Sequence, residues 1–244
     1  MKQYEAVIEA MKANNGYATL GYLYREVLKI SNVVWNTKTP FASIRRIVQD
    51  KRFFTKVVPG LYYLNEYRNK LPLPLSEIKR LSRKEKIEFD HSYYQGLIIE
   101  IGNFKKYETY IPLQDKNRKF LGRDLGQIAS VKEFYRFTYD HLIRTAQTID
   151  IVWFNQRKMP DSFFEVAHTT DIRNSLLKFL ELQDFYVKYF IVADNTRKED
   201  FYSKLSYDTF YNISKRIKFL SYEQVSNWHA KTFELTRVEN DILR

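Results

Sequence analysis

Residues 186–193 read Tyr-Val-Lys-Tyr-Phe-Ile-Val-Ala, hydrophobic throughout except for Lys188. A strand with one face in water alternates apolar and polar side chains. A run without alternation belongs to a strand covered on both faces, as in a parallel or mixed sheet between helices. The flanking segments agree. Residues 171–182 place Ile172, Leu176, Phe179 and Leu180 on one helical face, and a helix over 198–205, a strand over 216–221 and a helix from Tyr222 follow. Upstream, the pattern predicts a helix over 93–104, a short strand over 107–112, and strands over 148–154 and 162–168, the last two separated by the turn signal Met159-Pro160-Asp161. This alternation predicts an α/β layer fold with a mixed central sheet.

Hydrophobic residues make up 44% of the 244 residues and aromatics 16%, which supplies a core and excludes a disordered chain. The absence of cysteine excludes a disulfide scaffold, thiolate zinc sites and cysteine catalysis, and fits a reducing compartment. No apolar run approaches the roughly 18 residues that cross a bilayer, and Glu5 and Glu9 make the amphipathic N-terminal segment unlike a secretory signal. A cytoplasmic protein without a membrane partner is expected. The net charge is +11, and it is uneven. Residues 1–90 hold 17 Lys/Arg against 9 Asp/Glu, and residues 91–244 hold 23 against 20. The change falls near Leu71-Pro-Leu-Pro-Leu75 and the charged stretch 79–88, where the prolines disfavour a continuous helix. The expected organisation is a domain over 1–70, a linker over 71–90 and a second domain over 91–244. Nucleic acid is the leading partner for the basic first part.

That first part reads as three helices and a hairpin. Tyr4, Val7, Ile8 and Met11 form one helical face, stopped by Asn14-Asn15-Gly16. Thr19 is placed to cap a second helix with Leu20, Leu23, Val27 and Leu28 inward. Thr39 and Pro40 open a third, with Phe41, Ile44 and Val48 inward and Ser43, Arg46 and Gln49 outward, Arg45 at the margin. Residues 52–58 and 61–64 then pair around Pro59-Gly60. The order is that of a winged helix-turn-helix. Thr39-Pro-Phe-Ala-Ser-Ile-Arg-Arg-Ile47, Arg52-Phe-Phe54 and Val58-Pro-Gly-Leu-Tyr-Tyr63 resemble the HARE-type winged-helix domain over residues 1 to about 65. The resemblance implies that the third helix enters the major groove, bringing Ser43, Arg45, Arg46 and Gln49 to bases or phosphates and Lys51, Arg52 and Lys56 to the backbone. The alternative is a solvated helix face that serves protein partners.

In the second part, Asp150 starts one strand and Glu165 lies within the next, each among hydrophobic neighbours. Side-chain alternation puts Asp150 with Val152 and Phe154, and Glu165 with Phe163 and Ala167. If these strands pair, the two acids converge, and buried carboxylates need a partner that a divalent cation supplies. Glu100, on the preceding helix, is a candidate to join them. Asp150 in Thr148-Ile-Asp-Ile-Val-Trp153, Glu165 in Phe163-Phe-Glu-Val-Ala167, Glu100 in Leu97-Ile-Ile-Glu-Ile-Gly102 and the αβββαβ order over about 92–195 together resemble the PD-(D/E)XK nuclease superfamily, the restriction-endonuclease fold. The resemblance implies phosphodiester hydrolysis with Mg²⁺ or Mn²⁺ held by Asp150, Glu165 and Glu100.

One position departs from the pattern. The third functional residue, usually Lys and sometimes Glu or Gln, belongs two residues after Glu165, where this chain has Ala167. Phe164-Glu-Val-Ala-His-Thr-Thr170 resembles a stretch of winged-helix nucleases with its acid removed. We read Ala167 as an engineered inactivating replacement; the alternatives are a migrated third residue, His168 or Lys178, or a natural loss of catalysis. His91, His141, His168 and His229 have no zinc-type spacing and are expected to be structural or at the surface, with His168 able to support a neighbouring carboxylate. Lys116, Arg118, Lys119 and Arg123 form a loop that is either a DNA-backbone clamp or an ordinary solvated loop. The expected protein is a homodimeric type II restriction endonuclease acting on double-stranded DNA. Its competitors are a non-catalytic DNA-binding protein on a degenerate nuclease fold and a repair or junction nuclease.

Overall fold

A computed structural model describes residues 1–35, 39–71, 75, 81–167 and 172–242. It divides into two compact units, one made of residues 1–82 and 226–244 and the other of 83–225.

The first unit contains α1 (Gln3–Ala13), β1 (Tyr17–Thr19), α2 (Leu20–Glu26), α3 (Pro40–Ile47), β2 (Phe54–Val58) and β3 (Leu61–Leu64). Asn15 and Gly16 both take positive φ, which ends α1 and turns the chain into β1. Thr19 caps α2 by accepting from the Tyr22 N–H at 3.1 Å. Thr39 stands at the N-cap of α3 with Pro40 after it, but its side chain makes no capping hydrogen bond. Gly60, at φ +78°, forms the expected turn between β2 and β3. The strand β1, too short for a periodic signal, adds to β3 and gives an antiparallel sheet in the order β1-β3-β2. Val7, Met11, Leu23, Val27, Ile44 and Val48 fill the core, joined by Ala230 from the C-terminal segment.

The second unit holds α4 (Arg83–Phe104), β4 (Glu108–Tyr110), β5 (Lys119–Phe120), β6 (Arg123–Asp124), α5 (Leu125–Ile128), α6 (Asp140–Ala146), β7 (Ile151–Phe154), β8 (Pro160–Val166), α7 (Ile172–Glu181), β9 (Lys188–Ala193), α8 (Lys198–Leu205), α9 (Tyr211–Ser214) and β10 (Ile217–Ser221). The last helix, α10 (Tyr222–Ile242), begins here and continues into the residues grouped with the first unit. The central sheet runs β10-β9-β8-β7-β4. Its β8, β9 and β10 are mutually parallel, while β7 and β4 are antiparallel additions, so the sheet is mixed. The hydrophobic run at 186–193 is therefore an interior strand, although Tyr186 is fully exposed and pairing starts at Lys188. Phe163, Tyr189 and Ile191 face a core that includes Leu176 and Phe179 of α7. On the opposite face Trp153 packs tilted against Phe164, which stacks on Phe190, and Trp153 meets α4 at Gly102.

The boundaries differ from those expected. Helix α4 starts at Arg83, ten residues before the expected helix, within the segment read as linker. Its first two turns are mostly exposed, so Arg, Lys and Glu form helix there without an apolar stripe to announce it. Residues 226–244 group with the first unit, because Ala230, at 0% exposure, completes that core. Among the described residues no helix is long and apolar enough to cross a membrane.

Candidate active site

Antiparallel pairing of β7 with β8 sets Ile151 opposite Phe164 and Val152 opposite Phe163. One step beyond the last pair, this register puts Asp150 opposite Glu165. The two acids are joined through the backbone: the Val166 N–H donates to Asp150 Oδ2 at 2.7 Å, and the Asp150 N–H donates to Glu165 Oε1 at 3.3 Å. Glu165 is only 4% exposed and lies on the side of the sheet covered by α7. That helix supplies its partners. Lys178 Nζ donates to Glu165 Oε1 and Oε2 at 2.9 and 3.1 Å and to the Thr148 carbonyl at 3.0 Å. The Ser175 hydroxyl, one turn earlier, donates to Oε2 at 2.9 Å.

Asp150 meets a second group of residues. His91 Nε2, on α4, lies 3.7 Å from Asp150 Oδ1 and 3.9 Å from Oδ2 of Asp115, which ends the short helical turn Leu113–Asp115. Asp115 is 3% exposed. Arg118 donates to its Oδ1 at 2.7 Å and Gln95, one turn after His91 on α4, donates to its Oδ2 at 2.8 Å. Burial pushes the Asp150 carboxyl up to about 7, against the pull of the Val166 N–H and the Lys178 ammonium. Burial and then the neighbouring Asp150 push Glu165 up to about 7 as well, opposed by Lys178 and Ser175. Burial also lowers the His91 pKa, favouring the neutral imidazole, which is its ligand form. Carboxylate oxygens converging with an imidazole form a donor set that suits a divalent cation, and such an ion would draw the acids back to their charged forms.

The structure brings together three residues singled out in the sequence: Asp150, Glu165 and Lys178. Glu100 lies nine residues beyond His91 on α4, about half a turn around the axis, and is paired with Arg123 at 2.6 Å. His91 occupies the helical position facing Asp150 instead. Ala167 is 1% exposed and belongs to the apolar cluster beneath α7. His168 lies outside the described residues. His141 is exposed, and His229 is buried in the first unit against the position of Gly21. The cations of the 116–123 segment have partners of their own: Lys116 donates to the Lys132 carbonyl, Arg118 pairs with Asp115, Lys119 with Asp124 and Arg123 with Glu100. In the first unit Arg46, Gln49, Lys51, Arg52 and Lys56 are exposed, while Ser43 and Arg45 are half-buried. Arg45 donates to the Tyr24 hydroxyl at 3.2 Å, and Arg52 pairs with Asp50 at 2.6 Å. Sequence reasoning missed His91 and Asp115. Neither has a local spacing signal, because the three donors come from separate elements 24 to 59 residues apart in the chain.

Fold and site together define a mixed α/β domain with a buried acid–lysine pair at the end of its central sheet, flanked by a histidine and a further aspartate. The chain belongs to the family of the type II restriction enzyme NmeDI C-terminal domain, whose family model matches residues 71–244. It is 22% identical over 133 residues to the type II restriction enzyme NmeDI of Neisseria meningitidis serogroup C, a match covering 50% of this chain and 38% of that enzyme. The matched region is thus about two fifths of that relative's length. No solved structure matches the chain.

Proposed function

We propose that the protein is a type II restriction endonuclease of the PD-(D/E)XK class, cutting duplex DNA at a specific sequence with Mg²⁺ or Mn²⁺. The observation that carries this reading is the juxtaposition of Asp150, Glu165 and Lys178 at one end of the sheet. Membership of a restriction-enzyme family supports it. Asp150 and Glu165 would hold the cation. When bound, such an ion supplies an acidified water and a positive charge beside the scissile phosphate. We take Lys178 as the third functional residue that Ala167 does not supply: its ammonium, fixed by Glu165 and the Thr148 carbonyl, would offset negative charge developing on the phosphoryl oxygens. Lys178 as the migrated third residue needs no engineered replacement at Ala167. Buried in apolar surroundings, a longer residue there would displace core side chains.

The first unit would dock on the duplex as a winged helix, with Arg46, Gln49, Lys51, Arg52 and Lys56 as its exposed polar contacts. Two copies of the chain would cut the two strands, their twofold axis matching a palindromic site. The test is digestion of methylated and unmethylated plasmid and phage DNA with Mg²⁺ by the parent chain, Asp150→Asn, Lys178→Ala, Ala167→Glu and Ala167→Lys. Discrete fragments from the parent, absent with Asp150→Asn and Lys178→Ala, are expected. Fragments from an Ala167 variant alone would restore the reading of Ala167 as inactivating. Tight DNA binding without cleavage by any chain would favour the second reading, a DNA-binding protein on a degenerate nuclease fold, which the missing functional group at Ala167 supports. Structure-dependent nicking without sequence-fixed fragments would point to a repair or junction nuclease.

A further inference from the structure

Three donor atoms from three separate elements meet beside Asp150: His91 Nε2 from α4, an Asp115 carboxylate oxygen from the turn after β4 and an Asp150 carboxylate oxygen from the start of β7, all within 4.8 Å of one another. We propose that His91 and Asp115 complete the cation site on Asp150, giving it a nitrogen ligand and a preference for Mn²⁺ over Mg²⁺. The inference rests on the nuclease reading for the ion's role but not for its existence.

The distances fit an ion better than a hydrogen-bonded cluster. The His91 separations of 3.7 and 3.9 Å exceed hydrogen-bond length. Donors around an octahedral ion with bonds of about 2.1 Å lie about 3.0 Å apart in cis and about 4.2 Å apart in trans, which brackets both values. The two acids are also held in place from outside. The Val166 N–H fixes Asp150, and Arg118 with Gln95 fixes Asp115. This is the outer support that metal ligands require.

A second observation, independent of the acids, points the same way. Gln95 is fully buried, and its amide nitrogen is bonded to Asp115. Its amide oxygen, in the same plane, is buried with no hydrogen-bond partner among the described residues. A buried carbonyl oxygen without a donor is costly. Carried on the same amide as the nitrogen bonded to Asp115, it is suited to accept from a water that an ion would hold beside that carboxylate. The nitrogen donor sets the selectivity. An all-oxygen site suits Mg²⁺ or Ca²⁺, whereas imidazole shifts preference to first-row transition ions.

The test uses the full chain and Mn²⁺ as the probe. Mn²⁺ affinity is measured by calorimetry, and electron spin-echo modulation of bound Mn²⁺ detects a directly coordinated ¹⁴N nucleus. Expected are tighter binding of Mn²⁺ than Mg²⁺, ¹⁴N modulation in the parent chain, loss of that modulation in His91→Gln, and weakening of Mn²⁺ binding by at least about tenfold in His91→Gln and Asp115→Asn. Should His91→Gln fail to fold, the parent's modulation and the Asp115→Asn affinity still decide. Mn²⁺ bound without nitrogen modulation, equal affinity in the parent and both variants, or no Mn²⁺ binding at all would overturn the proposal. DNA digestion run in parallel separates the two readings. Nitrogen-coordinated Mn²⁺ without cleavage sinks the nuclease and leaves the cation site. Cleavage with no nitrogen ligand does the reverse.

Discussion

The Lys178 ammonium has three acceptors within reach, both Glu165 oxygens and the Thr148 carbonyl. Removing it strands a carboxylate that is 4% exposed, with only the Ser175 hydroxyl left from α7. Lys178→Met is expected to destabilise the chain by about 3 kcal/mol at pH 8. The loss shrinks at pH 5, because Glu165, with its carboxyl near 7, is protonated there with or without the lysine. Urea unfolding of both chains at the two pH values measures this, and an equal loss at both would refute it. Asp90 poses a different problem. Burial pushes its carboxyl up to about 6, with Asp194 adding to the shift against Lys86, and its Oδ1 has no hydrogen-bond partner. A carboxylate whose folded pKa is raised opposes folding: the penalty is complete above the folded value and disappears below the unfolded value of 3.8. Asp90→Asn is thus expected to stabilise by roughly 1–2 kcal/mol at pH 8, discounted for partial exposure, and to gain little at pH 4. A gain independent of pH would show that charge is not the cause.

At the scale of elements, Gly96 in α4 sets helix propensity against packing. Replacing a mid-helix glycine by alanine ordinarily gains about 1 kcal/mol. Here a methyl group would overlap the buried Phe120 ring of β5, so Gly96→Ala is expected to cost roughly 1–3 kcal/mol. Chemical denaturation of Gly96→Ala, and of the same chain with Phe120→Leu to make room, tests this; a gain in the single variant would refute it. Elements with strong periodicity were legible in the sequence. Helices α1, α7 and α8 and strands β8, β9 and β10 fall within a few residues of their expected spans, and alternation gave the faces of Asp150 and Glu165, while the register that joins them comes from the pairing of β7 with β8. The β1 strand, the β5–β6 hairpin and α6 were not legible, being three, two plus two, and seven residues long. The first turns of α4 were hidden because an exposed helix carries no apolar stripe. In the site, Glu100 was expected where His91 stands, because a helix seen only as residues 93–104 excludes the turn that faces the acids.

For the whole molecule, the surplus of positive charge in the first 90 residues predicts that the proposed DNA binding is salt-dependent. Each phosphate contact contributes about −0.9 to the slope of log K against log salt. Combined replacement of Arg46, Lys51 and Lys56 by alanine is expected to reduce the slope by about 2 to 3. Titrations of one duplex at several salt concentrations check this, and an unchanged slope would remove these residues from the interface. Sedimentation with the site duplex bound should give the mass of the duplex plus two chains of 29.5 kDa each; a single chain on the duplex would overturn the proposed homodimer. The interrupted first unit bears on how such a protein comes into being. Its core receives Ala230, which follows the whole second unit in the chain, whereas residues 83–225 form one uninterrupted stretch. During synthesis the acids and Lys178 therefore emerge before the proposed docking unit has its full core. On the proposed reading, a nascent chain ordered in this way lacks its complete grip on DNA until Ala230 has emerged, so the order of the chain delays its hazard to the cell that makes it.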